Sequence, residues 1–385
     1  MSEIILPKFI NIGAGKVNSV NDILKKLNCE NPIIITDKTM VELNIIEPLE
    51  RTLTEMQIRY EIFNNTMPEP TAESIEEGVK LIKNGSFDCI IAFGGGSPID
   101  SAKAMSILAS KGGKMEDYKF PVISLESGIP LIAIPTTAGT GSEATKFTII
   151  TNEKNDEKML CVGPAFMPTA AIIDYELTYS VPKRTTADTA IDSLTHAIEA
   201  YVSKKSNIFS DTQAISAMKL IAPNIRKAFN NGKDQIAREK LMIGATLAGI
   251  AFSNSSVALV HGMSRPIGAF YHVPHGLSNA MLLPTVTEFS IPGATVKYSE
   301  CAKAIGIANF NDNIEDSNKK LLTELKQLNI DLKVPSLEEF GIKKEIFLKN
   351  IDTMATQAIA SGSPHNNPIV PSHEELILLY KKLCE

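Results

Sequence analysis

The chain has 385 residues, with 44% hydrophobic and 21% charged side chains and a formal net charge of −6. That size suits two domains, each able to bury a core, and the acidic balance excludes a surface built for nucleic acid or anionic membrane. The sequence opens without a secretory signal and holds no apolar run long enough to span a bilayer, and its five scattered cysteines, none in a Cys-x-x-Cys pattern, read as free thiols of a reducing cytoplasm.

In chain order, residues 32–36 form an apolar run that predicts a strand ending at Asp37. Residues 71–83 have a helical period. Residues 88–93 predict a second strand, running into Gly94-Gly95-Gly96-Ser97. Residues 130–135 predict a third, running into Thr136-Thr137-Ala138-Gly139-Thr140, and 170–174 predict a fourth. Continuous apolar strands separated by helices indicate a parallel sheet covered on both faces. Ligands of such sheets bind beyond the carboxyl ends of the strands, where Asp37, the Gly94 run and the Thr136 run all fall. Beyond about Pro182 the strand signals end and helical patterns take over, at 188–201, 210–229 and 237–252. The expected organisation is an α/β, Rossmann-like domain over residues 1–182 and an all-helical domain over 183–385.

The glycine turn carries the first chemical signal. Gly94, Gly95 and Gly96 follow a strand and open a helix, with Ser97 suited to the N-cap, Pro98 to the first helical position and Asp100 to a capping box. Three residues without a Cβ let a pyrophosphate approach the backbone, and the helix N-terminus offers N–H groups and a positive dipole end. The turn is neither Gly-x-Gly-x-x-Gly nor a Walker A sequence, and such a turn also serves as a plain tight connection. Asp37 suits a ribose 2′-hydroxyl and repels a 2′-phosphate, which selects NAD over NADP; its alternative is a turn aspartate.

The second signal is a set of metal-ligating side chains. In residues 188–201 the apolar positions Ile191, Leu194, Ala197, Ile198 and Tyr201 mark one helical stripe. Asp192 and His196, four apart, stack on one face and make a two-ligand bite for a divalent ion. The Pro- and Gly-broken segment 261–276, with His261, His272 and His275, can complete the set. A carboxylate with three neutral imidazoles suits iron(II) or zinc, not calcium or magnesium. Fewer ligands than the coordination number leave a place for a substrate oxygen. An isolated Asp-x-x-x-His would read as helix-surface polarity; the second, histidine-dense segment argues against that.

In combination, Gly94-Gly-Gly-Ser-Pro-Ile-Asp-Ser-Ala-Lys103, Pro135-Thr-Thr-Ala-Gly-Thr-Gly-Ser-Glu143, Asp192-Ser-Leu-Thr-His-Ala-Ile-Glu-Ala-Tyr201 and His261-Gly-Met to His275-Gly276 make the chain resemble a known family. It is similar, over nearly its whole length, to the iron-containing (group III) alcohol dehydrogenases of the dehydroquinate-synthase-like fold, and among them to the lactaldehyde reductase and 1,3-propanediol dehydrogenase branch. The resemblance implies metal ligands at Asp192, His196, His261 and His275. It implies a pyrophosphate loop at Gly94, Gly95, Gly96 and Ser97 with Asp100 behind it, and cofactor-side threonines at Thr136, Thr137 and Thr140. It also implies a nicotinamide-ribose lysine at Lys158, an aromatic neighbour of the nicotinamide at Phe252, and Asp37 as the NAD-selecting acid. The cofactors it implies are Fe2+, with Zn2+ tolerated by the same ligands, and NAD, with NADP admitted. The implied assembly is a homodimer or larger homo-oligomer.

One position departs from that family. Many relatives carry a histidine four residues after the first in the His-Gly-Met segment; here Arg265 stands in its place. Arginine stays protonated and is a poor general base, so His272 becomes the nearest titratable candidate for a proton relay. Pro266 is expected to turn the chain sharply and aim the guanidinium inward; the alternative pairs Arg265 with a structural acid such as Glu199.

The expected activity is metal-dependent, NAD(P)(H)-linked interconversion of small primary alcohols or diols and aldehydes by hydride transfer. Two alternatives stand beside it. One is an anionic hydroxy acid or semialdehyde-type substrate held by Arg265. The other is a dehydroquinate-synthase-like lyase, which needs a pocket rich in lysine and arginine.

Overall fold

Short, wholly apolar segments build the first half of the chain around a parallel sheet. The computed structural model of the protein describes residues 3–154 and 157–384, so residues 1, 2 and 385 at the ends of the two expected domains lie outside it. The described chain divides into two compact units, 3–181 and 182–384.

The strands of the first unit, among the described residues, are β1 (Phe9–Ile12), β2 (Pro32–Ile35), β3 (Glu61–Phe63), β4 (Cys89–Gly94), β5 (Leu131–Pro135), β6 (Phe147–Asn152), β7 (Glu157–Val162) and β8 (Ala170–Ile173). β6 and β7 pair as an antiparallel hairpin, and the other six form one parallel sheet in the order β1-β8-β5-β4-β2-β3. Successive side chains of a strand point to opposite faces, so a strand buried on both sides must be apolar throughout. β2 meets that condition: Ile33 and Ile35 enter one core and Ile34 the other. One core is covered by α1 (Val20–Leu27) and, after the short α2 (Lys38–Glu42), by α3 (Glu47–Glu55). The opposite core is covered by α4 (Ala72–Asn84) and α5 (Gly96–Lys111). Thr71 caps α4 in a reciprocal capping box with Ser74.

β1, β3, β6 and β7 were not marked by the apolar runs. β1 is a half-exposed edge strand and β3 has only three residues. In β6 the inward positions are Thr148, Ile150 and Asn152, so polarity does not alternate with burial.

The second unit is helical throughout its described residues, apart from connecting turns. Its helices are α6 (Lys183–Val202), α7 (Ile208–Asn230), α8 (Gln235–Ser253), α9 (Leu259–Tyr271), α10 (His275–Ser290), α11 (Thr295–Ala304), α12 (Ile314–Asp331), α13 (Lys344–Ala360) and α14 (His373–Lys382). α6 is central, packed by α7, α8 and α10, and is buried almost without interruption from Thr186 to Val202. A helix buried on all sides must give any polar side chain an internal partner. Asp192, His196 and Glu199, at spacings i, i+4 and i+7, are among the polar residues that α6 buries.

The structure corrects the expectation for Pro266. α9 runs as one helix through it, so no sharp turn follows Arg265. The missing N–H removes the bond to the carbonyl one turn back, and packing on neighbouring elements holds the helix together regardless. The break comes at His272, a left-handed C-cap (φ 53°), and α10 starts three residues later at His275. No helix among the described residues is long and apolar enough to cross a membrane.

Candidate metal centre and nucleotide site

Because β2, β4 and β5 are neighbours in the sheet, their carboxyl ends bring Asp37, Gly94 and Thr136 to one edge. The Thr136 N–H donates to the Gly94 carbonyl at 2.9 Å, joining the two loops. Gly94 has φ +144°, and a Cβ there would lie 2.7 Å from the Pro98 ring and 3.6 Å from Asp37 Oδ2. A Cβ on Gly96 would lie 2.8 Å from the Thr140 methyl, and one on Gly95 would lie 3.6 Å from Thr137. The turn therefore has backbone where side chains would otherwise fill the space. The Asp37 carboxylate accepts from Met40 N–H at 3.1 Å as the N-cap of α2.

The N-cap of α5 is Gly95, not Ser97, and no side chain caps the helix. Pro98 is accordingly the third helical residue. Asp100 makes no capping box: one oxygen accepts from Ser142 Oγ (2.6 Å) and the other from Ile149 N–H (3.1 Å). Asp100 thus anchors the loop after β5 to α5. The first N–H groups of α5 are left without a side-chain cap, at the positive end of the helix dipole. That arrangement fits the pyrophosphate of a dinucleotide.

Lys103 was not singled out as a site residue, yet it is the centre of this anchoring. Its ammonium group is buried and donates to Ser142 Oγ, Thr145 Oγ1 and the carbonyls of Thr145 and Phe147, at 2.8–3.0 Å. Burial pushes its pKa down to about 8, against the opposing charges of Asp100 and Glu143. Lys158, on β7, is bonded to Glu69 at 2.9 Å, and the Glu69 N–H donates to Ser97 Oγ at 3.3 Å.

In the second unit three helices converge on one point. α6 contributes Asp192 and His196, α9 contributes His261, and the first residue of α10 is His275. One ligand atom from each lies within 4.8 Å of all the others. Asp192 Oδ1 is 3.8, 3.6 and 3.7 Å from the Nε2 atoms of His196, His261 and His275. The His196 ring stacks on Phe252 (centroids 4.4 Å) and on His261 (4.5 Å), which fixes its plane. Gly276 lets α10 start close against α6, since a Cβ there would meet the Asp188 carbonyl at 2.4 Å.

Glu199 completes the arrangement, although its spacing on α6 was not read as functional. Its carboxylate accepts from His261 Nδ1 (2.7 Å) and from the N–H groups of Ala258 (2.8 Å) and Val260 (2.5 Å) at the start of α9. With Nδ1 protonated, the lone pair of His261 is on Nε2, facing Asp192. Ser264 Oγ is 3.4 Å from His275 Nδ1. Asn279 Nδ2 is 2.6 Å from Asp192 Oδ1 and 3.2 Å from the Nε2 atoms of His261 and His275.

The charges respond accordingly. Burial alone would raise the Asp192 carboxyl, but the three imidazoles outweigh it and hold the group well below the usual carboxylate range. Burial alone would lower His261, but Asp192 and Glu199 outweigh it and push the ring up to about 9. The Asn279 amide has two hydrogens for three convergent acceptors, so it cannot satisfy all three at once. One carboxylate oxygen and three imidazole nitrogens at this spacing fit iron(II) or zinc.

The structure does not bring His272 to this cluster; it is the exposed end of α9. Arg265 lies four residues after His261 on α9 and is half-buried.

Residues 7–175 match the family described as iron-containing alcohol dehydrogenase, and residues 186–384 match the C-terminal part of the Fe-containing alcohol dehydrogenase family. The chain is 32% identical over 382 residues to lactaldehyde reductase of Escherichia coli (strain K12), covering 98% of each chain. It is 33% identical over 383 residues to an NAD-dependent methanol dehydrogenase of Bacillus methanolicus, covering 99% of each. A crystal structure of 1,3-propanediol oxidoreductase superposes with a TM-score of 0.94 at 29% identity, over 100% of both chains.

Proposed function

The chain belongs to the iron-containing alcohol dehydrogenase family, and from that premise we propose that it interconverts small primary alcohols or diols and their aldehydes with NAD(H), using one divalent iron ion. The observation that carries this reading is the convergence of Asp192, His196, His261 and His275 on one point. These four residues would hold the ion. When bound, the ion supplies Lewis acidity towards a substrate oxygen. The nicotinamide supplies the hydride acceptor or donor.

The protein's own residues prepare for that chemistry. Glu199 keeps the His261 proton on Nδ1 and so leaves Nε2 able to ligate. Asn279 orients the Asp192 carboxylate. Phe252 and His196 stack as a rigid pair, which gives the ligand a fixed plane and an apolar neighbour. Gly94, Gly95 and Gly96 admit the pyrophosphate to the N-terminus of α5, with Ser97 beside it. Thr136, Thr137 and Thr140 pack along that turn, Asp37 would accept hydrogen bonds from the ribose hydroxyls, and Lys158 and Asp100 hold the flanking segments. His272, exposed at the end of α9, lies outside the ligand set.

The reading includes a cytoplasmic homodimer or larger homo-oligomer with no nucleic-acid or membrane partner. The lyase alternative finds no specific support in the site. The test is an anaerobic NADH assay with iron(II)- and zinc-loaded protein on short primary alcohols and diols. Metal-dependent NADH formation supports the proposal; no turnover with any of them, with metal and cofactor bound, overturns it.

A further inference from the structure

Arg265 is a charged residue on the helix of His261 that the chemistry above leaves unused. Residues 261, 264 and 265 share one face of α9, at i, i+3 and i+4. Two of the three already touch the cluster: His261 as a member and Ser264 through His275 Nδ1 at 3.4 Å. The cluster is most exposed at His275, the residue that Ser264 touches. The His275 side chain is 40% exposed, against 3–6% for Asp192, His196 and His261.

The acid whose charge acts on Arg265 is Glu199, yet its oxygens are taken by His261 and by the Ala258 and Val260 N–H groups. Among the described residues Arg265 has no ion pair within 4.0 Å and no side-chain hydrogen bond. The pairing with Glu199 expected as its plain alternative is therefore absent. A guanidinium has five donors in a planar fork, and at this half-buried position they are available to a ligand. With a divalent ion bound and the imidazoles neutral, Asp192, Glu199 and Arg265 leave the centre one unit positive, which a monoanionic substrate neutralises.

We propose that Arg265 is a substrate-recognition residue and that the preferred substrates are short aldehydes or alcohols carrying a carboxylate or sulfonate at the end remote from the reacting carbon. The inference rests on the dehydrogenase reading for the reaction, but the anion-binding step stands apart from it. The guanidinium takes the anionic group bidentately, as a fork matched to two oxygens.

The experiment has two arms, both on the metal-loaded, full-length protein with NAD bound. Calorimetry measures the Kd of 4-hydroxybutyrate and of 2-hydroxyethanesulfonate in wild type, Arg265→Gln and Arg265→Lys. Steady-state assays measure kcat/KM for the same two compounds and for 1-butanol. Loss of a hydrogen-bonded charge pair is expected to weaken anion binding about 10- to 100-fold in Arg265→Gln, with Arg265→Lys in between. The ratio of kcat/KM for the anion to that for 1-butanol falls by the same factor. A stronger effect on one compound assigns the anion as carboxylate or sulfonate. An anion Kd equal in wild type and Arg265→Gln, or no anion binding to a wild type that oxidises 1-butanol, overturns the proposal. Anion binding lost in Arg265→Gln without turnover of any compound would uphold the recognition role and overturn the dehydrogenase reading instead.

Discussion

Glu199→Gln removes a single charge from the interior of α6 and leaves the shape of the side chain nearly intact. The carboxylate accepts three hydrogen bonds, from His261 Nδ1, Ala258 N–H and Val260 N–H. An amide has one oxygen, so its NH2 must face at least one of these donors. If it faces His261, the imidazole proton is driven to Nε2, the atom 3.6 Å from Asp192 Oδ1. That proton must then leave before an ion can bind. If it faces Val260, a buried backbone N–H loses its acceptor. One hydrogen bond to a charged group contributes about 1.5–3 kcal/mol, and partners of this kind alter metal affinity about 10- to 100-fold, or ~1.4–2.7 kcal/mol. The two figures agree, so Glu199→Gln is expected to weaken iron(II) binding by one to two orders of magnitude. The assay is competition with a metal chelator under anaerobic conditions, with cobalt(II) absorption as a second readout of ligand geometry. Glu199→Asp, which keeps the charge on a shorter arm, should recover part of the affinity. A metal Kd in Glu199→Gln within twofold of wild type would refute the positioning argument.

Three further outcomes follow from the first unit. Asp37→Gly should raise the NADP(H)/NAD(H) ratio of kcat/KM by at least about tenfold, ~1.4 kcal/mol, while replacing the α2 cap costs only about a few tenths of a kcal/mol; an unchanged ratio would remove Asp37 from cofactor selection. Gly96→Ala should weaken NAD(H) binding, because its Cβ meets the Thr140 methyl at 2.8 Å, whereas chelator competition should return an unaltered metal Kd; tight NAD(H) binding in that variant would count against the glycine cradle. Lys103 titrates at about 8 in the fold and at 10.5 outside it. Below pH 8 both states hold the proton. Between the two values the unfolded chain holds a proton that the fold has released, so stability rises with pH. In urea unfolding, wild type should gain on Lys103→Met by up to about 1.4 kcal/mol per pH unit across that window; a difference flat with pH would show that Lys103 stays charged in the fold.

What could be read from the sequence was what a single element encodes. Wholly apolar runs identified β2, β4, β5 and β8, because burial on both faces leaves no room for polar residues. The Asp192–His196 spacing identified a helix face, the histidine-dense segment offered His261 and His275, and the structure brings the four together. Glu199 carried the same signal at i+7, but its partner is on α9, and no local pattern reveals a hydrogen bond between two helices. Lys103 was hidden for the same reason: a lysine inside an apolar helix shows that acceptors must exist, not which loop provides them. The capping expectation at Ser97 failed because the chain enters α5 two residues earlier, through Gly95, where a helix without a side-chain cap leaves its N–H groups for a ligand. The turn expected at Pro266 failed because proline costs a helix one hydrogen bond, which packing of α9 against α10 and α13 outweighs.

The central claim is that Asp192, His196, His261 and His275 hold one ion on which hydride transfer depends. Metal-stripped wild type and His261→Ala should be titrated anaerobically with iron(II), with bound iron and NADH formation from a primary alcohol followed on the same samples. The account predicts that wild type takes up one ion per chain with activity rising in proportion, and that His261→Ala loses both. Full iron content and full turnover in His261→Ala would contradict it.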